Sequence, residues 1–154
     1  MMKQESQLVA KTPSDNVREN KQNYKDLLVW QKGMDLVVQI YQLTGKFLNV
    51  ETYGLASQIQ RAAVSVPSNI AEGRARGTTN SEFSRFIRIA IGSLAELDTQ
   101  LELSIRLRYI TDAEAEEVFA LALEIRKMLF GLLKKLKWIF QLSSVNCYLS
   151  TDNG

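Results

Sequence analysis

From residue 83 onward the chain is organised by one feature: apolar side chains return every three or four positions. Phe83, Ile87, Ala90, Leu94, Leu97, Leu101 and Ile105 form one such run, and Val118, Leu121, Ile125, Met128, Leu132, Leu136 and Ile139 form a second. A helix turns once in 3.6 residues, so this spacing draws a continuous apolar stripe along one helical face; on a strand, where side chains alternate, it would scatter them. Each run follows a threonine with a glutamate three residues on, Thr79–Glu82 and Thr111–Glu114, the spacing of a capping box. Two long helices are therefore predicted, the first running to about Tyr109.

The earlier part of the chain repeats the pattern over shorter spans. Asp26 is placed to cap a helix carrying Trp30, Met34, Val37 and Tyr41 on its core face, reaching about Phe47 before a break at 49–54. Leu55, Ile59, Ala62, Val66 and Ile70 define the next, with small residues (Ala63, Ser65, Ser68, Ala71) that permit close helix approach. Pro67 lies inside it, where a lost hydrogen bond and a steric clash cost ~3 kcal/mol unless the helix bends. Ser65, Ser68 and Asn69 are expected to serve the backbone groups that the proline frees. The glycines of Gly73–Gly77 predict the helix end. Short connections and the lack of any sustained strand pattern specify an all-α fold, an up-down-up-down antiparallel four-helix bundle over 24–142 with its second helix kinked near Pro67. A flexible arm is predicted over 1–23 and a polar tail over 143–154.

Composition removes most chemistry. There is no histidine and only one cysteine, Cys147, so disulfide frameworks, Cys/His zinc sites and histidine-dependent acid–base or nucleophilic schemes are excluded. Glu96, Asp98, Glu102, Glu114, Glu116, Glu117 and Glu124 raise the question of a carboxylate-bridged metal pair, but its Glu-x-x-His elements are missing. These acids are expected to be surface or interface partners. Gly73-Arg74-Ala75-Arg76-Gly77-Thr78-Thr79 brings glycines and arginines to a helix start, yet lacks the lysine and preceding strand of a P-loop. The expectation is a protein that is not an enzyme and uses no metal or cofactor. No apolar run reaches signal-peptide or membrane-span length, so a cytoplasmic location without membrane contact is expected.

Charge is informative through its placement. Lys and Arg number 19 against 17 Asp and Glu, a net charge of only +2. Between Gln58 and Gly92, however, Arg61, Arg74, Arg76, Arg85 and Arg88 face only Glu72 and Glu82. Arginine's planar fork suits phosphate, and it equally suits ion pairs between subunits. The two long helices also carry apolar residues away from their seams: Ile89, Gly92 and Leu103 on the third, and Leu123, Phe130 and Trp138 beside Lys127 and Lys134 on the fourth. A solitary bundle needs one stripe per helix. The second stripe reads as a homo-oligomer interface with lysine stems over apolar surface, or as a basic aromatic strip for single-stranded nucleic acid.

Several segments resemble one family. Leu27 to Lys32 (LLVWQK), Tyr53 to Ala63 (YGLASQIQRAA), Val64 to Gly73 (VSVPSNIAEG) and Ile89 to Leu97 (IAIGSLAEL) are similar to the four-helix proteins encoded by intervening sequences in 23S ribosomal RNA genes, over about Tyr24 to Ile139. Members are sometimes labelled ribosomal proteins, a label that is not a function. The resemblance implies a homopentamer and a relationship to accessory variability proteins of diversity-generating retroelements, which bind nucleic acid and a reverse transcriptase through basic surface. Carried over, the nucleic-acid-binding positions are Arg61, Arg74, Arg76, Arg85 and Arg88, with Lys127 and Lys134 on the aromatic strip. Two functions follow as expectations: a non-enzymatic oligomer that holds RNA or DNA electrostatically, or a scaffold for another protein such as a reverse transcriptase.

Overall fold

The computed structural model of the chain describes residues 23–47, 54–76 and 79–149. The arm at 1–22, the loop at 48–53, Gly77–Thr78 and the last five residues of the predicted tail lie outside the described residues, as do the side chains of Ile139 and Cys147. Four helices account for nearly all of what is described: α1 (Leu28–Thr44), α2 (Leu55–Arg76), α3 (Asn80–Arg106) and α4 (Asp112–Leu149), with a single 3-10 turn at Tyr24–Asp26 ahead of them. α2 packs against α1 and α3, and α4 against α3 and α1, so the four enclose one core. Paired positions run in opposite order: Gly33 meets Pro67 while Thr44 accepts from Gln60, and Lys32 pairs with Glu124 while Lys46 pairs with Glu114.

The α3 seam lies where its spacing places it. Phe83, Ile87, Ala90, Leu94, Leu97 and Leu101 are buried along α3, and Ile105 is partly so. On α4 the deepest positions are Ala115, Val118, Ala122, Ile125, Leu129 and Leu136, with Leu121, Met128 and Leu132 packed at the margin. Each fully buried Leu or Ile contributes ~1.5–3 kcal/mol by leaving water. At the start of α3 the Thr79 hydroxyl accepts from the Glu82 N–H at 3.1 Å. The start of α4 is a reciprocal capping box: the Glu114 N–H donates to the Thr111 hydroxyl at 3.3 Å, and the Thr111 N–H donates to the Glu114 carboxylate at 3.0 Å. Between them α3 closes through Arg108 N–H to Ile105 C=O and Tyr109 N–H to Ser104 C=O, both 2.9 Å, which places Arg108 at φ 59°, a conformation glycine usually supplies.

Three expectations need correction. α1 begins at Leu28 behind Leu27, with Asp26 inside the preceding turn, so Asp26 does not cap it. Its core face is Val29, Gly33, Leu36, Ile40 and Leu43, while Met34 is 41% and Tyr41 51% exposed. Both stripes have the same four-three-four spacing displaced by one residue, and the bulkier one drew the assignment because Gly33 adds no hydrophobicity to the buried one. That glycine is there for space: a Cβ on it would lie 3.3 Å from the Pro67 Cβ. α2 likewise runs through Gly73 to Arg76, so Gly73 does not stop the helix. A Cβ on Gly73 would sit 2.6 Å from the Phe86 Cβ and 2.9 Å from Phe83 Cδ2, which makes it the point where α3 presses against α2. The third correction is on α4, where the buried line passes through Ala122 and Leu129 while Leu121, Met128 and Leu132 are only partly buried; the helix itself continues past Ser143 to Leu149.

Pro67 is buried within α2. Its missing N–H frees the Ala63 carbonyl, four residues back. Asn69 does not reach it: the amide donates to the Ser65 carbonyl at 2.8 Å and the Ser65 hydroxyl at 3.0 Å, and Ser93 of α3 donates to that same hydroxyl at 2.8 Å. The polar side chains around the proline therefore tie α2 to α3 and leave the freed carbonyl aside.

Gly73→Ala is expected to destabilise the fold by about 1–3 kcal/mol in urea denaturation, because backbone-proximal atoms of Phe86 must move. Gly131→Ala, where an added Cβ meets nothing within 4 Å, should raise stability by about 0.5–1 kcal/mol. At the α4 cap, the Thr111 N–H foremost, then Lys46 and the Thr111 hydroxyl, hold the Glu114 carboxyl at about 2 against an ordinary 4.5. A carboxyl acidified by folding stabilises the fold while ionised, so its contribution is complete above about 4.5 and lost as pH falls to about 2. The stability difference between the native chain and Glu114→Gln should therefore shrink across that interval. Thr111→Ala should cost about 1 kcal/mol at neutral pH.

Candidate nucleic-acid interface

The α2–α3 crossing at Gly73 fixes the positions of two phenylalanines. Phe83 and Phe86 are 6% and 4% exposed, wedged where the last turn of α2 meets the first turns of α3. Three arginines gather over their rings. The guanidinium carbon of Arg74 lies 5.9 Å from the Phe83 ring centre, that of Arg76 5.8 Å from Phe86, and that of Arg85 5.1 Å from Phe86. Such cation–π contacts contribute ~0.5–1 kcal/mol each at exposed sites, and they reduce the freedom of side chains that are otherwise among the most mobile. Glu72 pairs with Arg76 at 2.8 Å across one helical turn. The start of α3, whose first N–H groups point out of the helix end, adds a partial positive charge to the same corner.

The sequence-derived cations thus divide into three groups. Arg74, Arg76 and Arg85 come together, with Arg88 exposed one turn further along α3. Arg61 lies thirteen residues before Arg74 on α2, ~20 Å along the axis at 1.5 Å per residue. It borders a shallow cavity with Tyr41, Gln60 and Val64. Lys127 and Lys134 are exposed on α4, and Lys134 shares a cavity wall with Trp138, Lys135 and Lys137. Four of the seven acids have ion-pair partners: Asp98 with Arg126, Glu102 with Arg106, Glu114 with Lys46, Glu124 with Lys32; Glu96 accepts from the Gln100 amide, and Glu116 and Glu117 enter no ion pair among the described residues. Among the described residues no group of three or more His, Cys, Asp and Glu is arranged to hold a metal ion, and no helix is long and apolar enough to cross a membrane.

The second apolar stripe lies on the outside of the single chain. Ile89 is 43%, Leu103 44%, Leu123 46%, Phe130 55% and Trp138 61% exposed, and Gly92 is exposed beside them. A further apolar surface had not been identified from the sequence. Trp30, Met34 and Val37 of α1 and Val64, Pro67 and Ala71 of α2 line a groove with Tyr24 at one end, a cavity of about 300 Å³. Its signal was the width of the apolar sector on α1, which exceeds what one core face requires.

The sequence model of the 23S rRNA-intervening sequence proteins matches residues 25–131. The chain belongs to that family. A solved relative of this intervening-sequence protein is the crystal structure of a protein of unknown function from the S23 ribosomal protein family of Bacteroides thetaiotaomicron VPI-5482. It is 29% identical, with a TM-score of 0.64 over 70% of this chain and 99% of that one. No curated protein matches. The match begins just after Tyr24 and ends within α4, so it contains the arginine corner and most of the exposed stripe.

Replacing the ring under two of the arginines tests whether it holds them. Phe86→Leu keeps an apolar side chain at the crossing and should cost under about 1.5 kcal/mol. Relaxation of the Arg85 side-chain ¹⁵Nε should then report increased motion, and unchanged motion would show that the ring does not restrain it.

Proposed function

We propose that this intervening-sequence protein is a non-enzymatic homo-oligomer, a pentamer, that binds RNA or DNA through its arginine-rich surface. The observation that carries the reading is the corner where Arg74, Arg76 and Arg85 stand over Phe83 and Phe86. Guanidinium groups already restrained on aromatic rings lose less freedom when they meet a phosphate. Arg88 extends the surface along α3, and Arg61, Lys127 and Lys134 add cations elsewhere on the bundle. One chain offers a weak field, its net charge being +2. Assembly repeats the corner around a symmetry axis and makes the sum attractive to a polyanion.

The subunit contact in this reading uses the exposed stripe, the α3 positions Ile89, Gly92 and Leu103 of one copy against Leu123, Phe130 and Trp138 on α4 of the next. Such a contact between unlike surfaces closes into a ring when the rotation between copies divides a full turn. The exposures of Phe130 and Trp138 support it, since large aromatic side chains in line are rarely left to water. The second reading, a scaffold for a partner protein such as a reverse transcriptase, draws on the same apolar stripe and on the engagement of Arg76 by Glu72.

Two measurements decide between them. Light scattering of the native protein should give five chains per particle, and Phe130→Glu with Trp138→Glu should give one. Anisotropy of labelled RNA and DNA oligonucleotides should show affinity falling steeply between about 50 and about 200 mM salt. Neutralising Arg74, Arg76 and Arg85 to Gln should reduce the slope of log affinity against log salt by about 1 for each phosphate that no longer meets an arginine. No binding at low salt would remove the nucleic-acid reading; capture of a partner protein that depends on the arginines would then favour the scaffold.

A further inference from the structure

The α1–α2 groove is a second unpartnered apolar surface, on helices that the oligomer reading does not use. Its lower end is Tyr24, whose ring packs edge-on against Trp30 at 5.4 Å. Its upper end merges at Val64 with the cavity bordered by Tyr41, Gln60 and Arg61. The chain reaches the groove at Tyr24 along a fixed path: the Asn23 side chain accepts from the Lys25 N–H at 3.1 Å, and the Gln31 amide donates to the Lys25 carbonyl at 2.9 Å. Twenty-two residues, Met1–Gln22, precede that point.

We propose that this N-terminal segment folds back along the groove of its own bundle, with Leu8, Val9 and Ala10 against Met34, Val37 and Val64. Reach is sufficient. The groove from Trp30 to Tyr41 spans about 17 Å at 1.5 Å per residue, and the fifteen steps from Asn23 back to Leu8 span up to about 50 Å extended. Direction agrees as well. A segment leaving Tyr24 toward the upper end brings its earlier residues closest to Arg61, where Glu5, flanked by Lys3 and Lys11, offers one acid. Arg61 has no ion-pair partner among the described residues. Tethering supplies the rest: a segment attached at the mouth of its own groove is present at an effective concentration in the millimolar range, so weak contacts suffice. A second copy would have to bring a matching ridge without that advantage, and the α4 stripe would set Lys127 and Lys134 near Arg61.

Cysteine pairing in the full-length chain tests this. With the single native cysteine removed (Cys147→Ser), Leu8→Cys is combined with Val64→Cys, or with Leu107→Cys, exposed just after α3 and outside both apolar surfaces, as a control. Under mild oxidation of dilute protein the Val64 pair should close within one chain about tenfold or more faster than the control. In a Trp138→Phe background Trp30 is the sole tryptophan, and Leu8→Asp with Val9→Asp should shift its emission to longer wavelength and expose it to quencher. Disulfides that form only between chains would assign the groove to a second copy and overturn the proposal. So would equal rates for the two pairs, or Trp30 emission indifferent to the arm substitutions. None of these readouts depends on nucleic acid, so this proposal and the binding reading can fail separately.

Discussion

The close approach of α2 to both of its neighbours is the constraint on which the rest of the structure depends. Helices normally lie 8–10 Å apart, a distance set by the side chains between them. Here those side chains are reduced to almost nothing at two places, Gly33 against Pro67 and Gly73 against Phe86, with Ala62 and Ala63 buried in between. Dispersion falls off steeply with distance, so bringing backbones together recovers attraction that larger but looser side chains would forfeit. The hydroxyl pair Ser65–Ser93 bridges α2 and α3 at 2.8 Å. A proline that costs an isolated helix one hydrogen bond is thereby held in a segment whose neighbours leave it little alternative.

The same approach builds the arginine corner. Because Gly73 lacks a Cβ, Phe86 and Phe83 sit beneath the last turn of α2, and the arginines that follow on that turn find aromatic faces below them. A packing device of the core therefore also arranges charge at the surface. On α4 the logic differs, since Lys127 and Lys134 alternate with exposed Leu123, Phe130 and Trp138, and no ion pair or ring contact holds them among the described residues. The two basic regions are unlike in rigidity as well as in residue type.

How far this was legible in the sequence varied with the helix. α3 was readable because its seam is long and composed mostly of large residues, so phase errors accumulate visibly over several turns; α4 was readable as a helix but its seam only in part, since the small Ala115 and Ala122 carry the buried line there. α1 was not, because periodicity gives spacing and not phase: two apolar stripes one residue apart both satisfy it, and the deciding member is a glycine. Gly73 was misassigned for a related reason, since a glycine after a helical run signals a C-terminus only when no neighbouring helix needs the space. The candidate cations were recognisable by type and density, yet their division into a restrained corner, a lone Arg61 and a lysine strip is a property of helix geometry. The groove at Tyr24 was hidden by the same phase error that displaced the α1 core.

Gly33 and Pro67 also constrain one another. Proline at 67 removes a backbone donor whatever faces it, and its ring lies where a Cβ at 33 would come within 3.3 Å, tighter than most real contacts yet only a few tenths of an ångström short of ordinary packing. An alanine at 33 therefore asks for a small shift and a larger side chain for a greater one, so bulk at 33 and a ring at 67 compete for the same space.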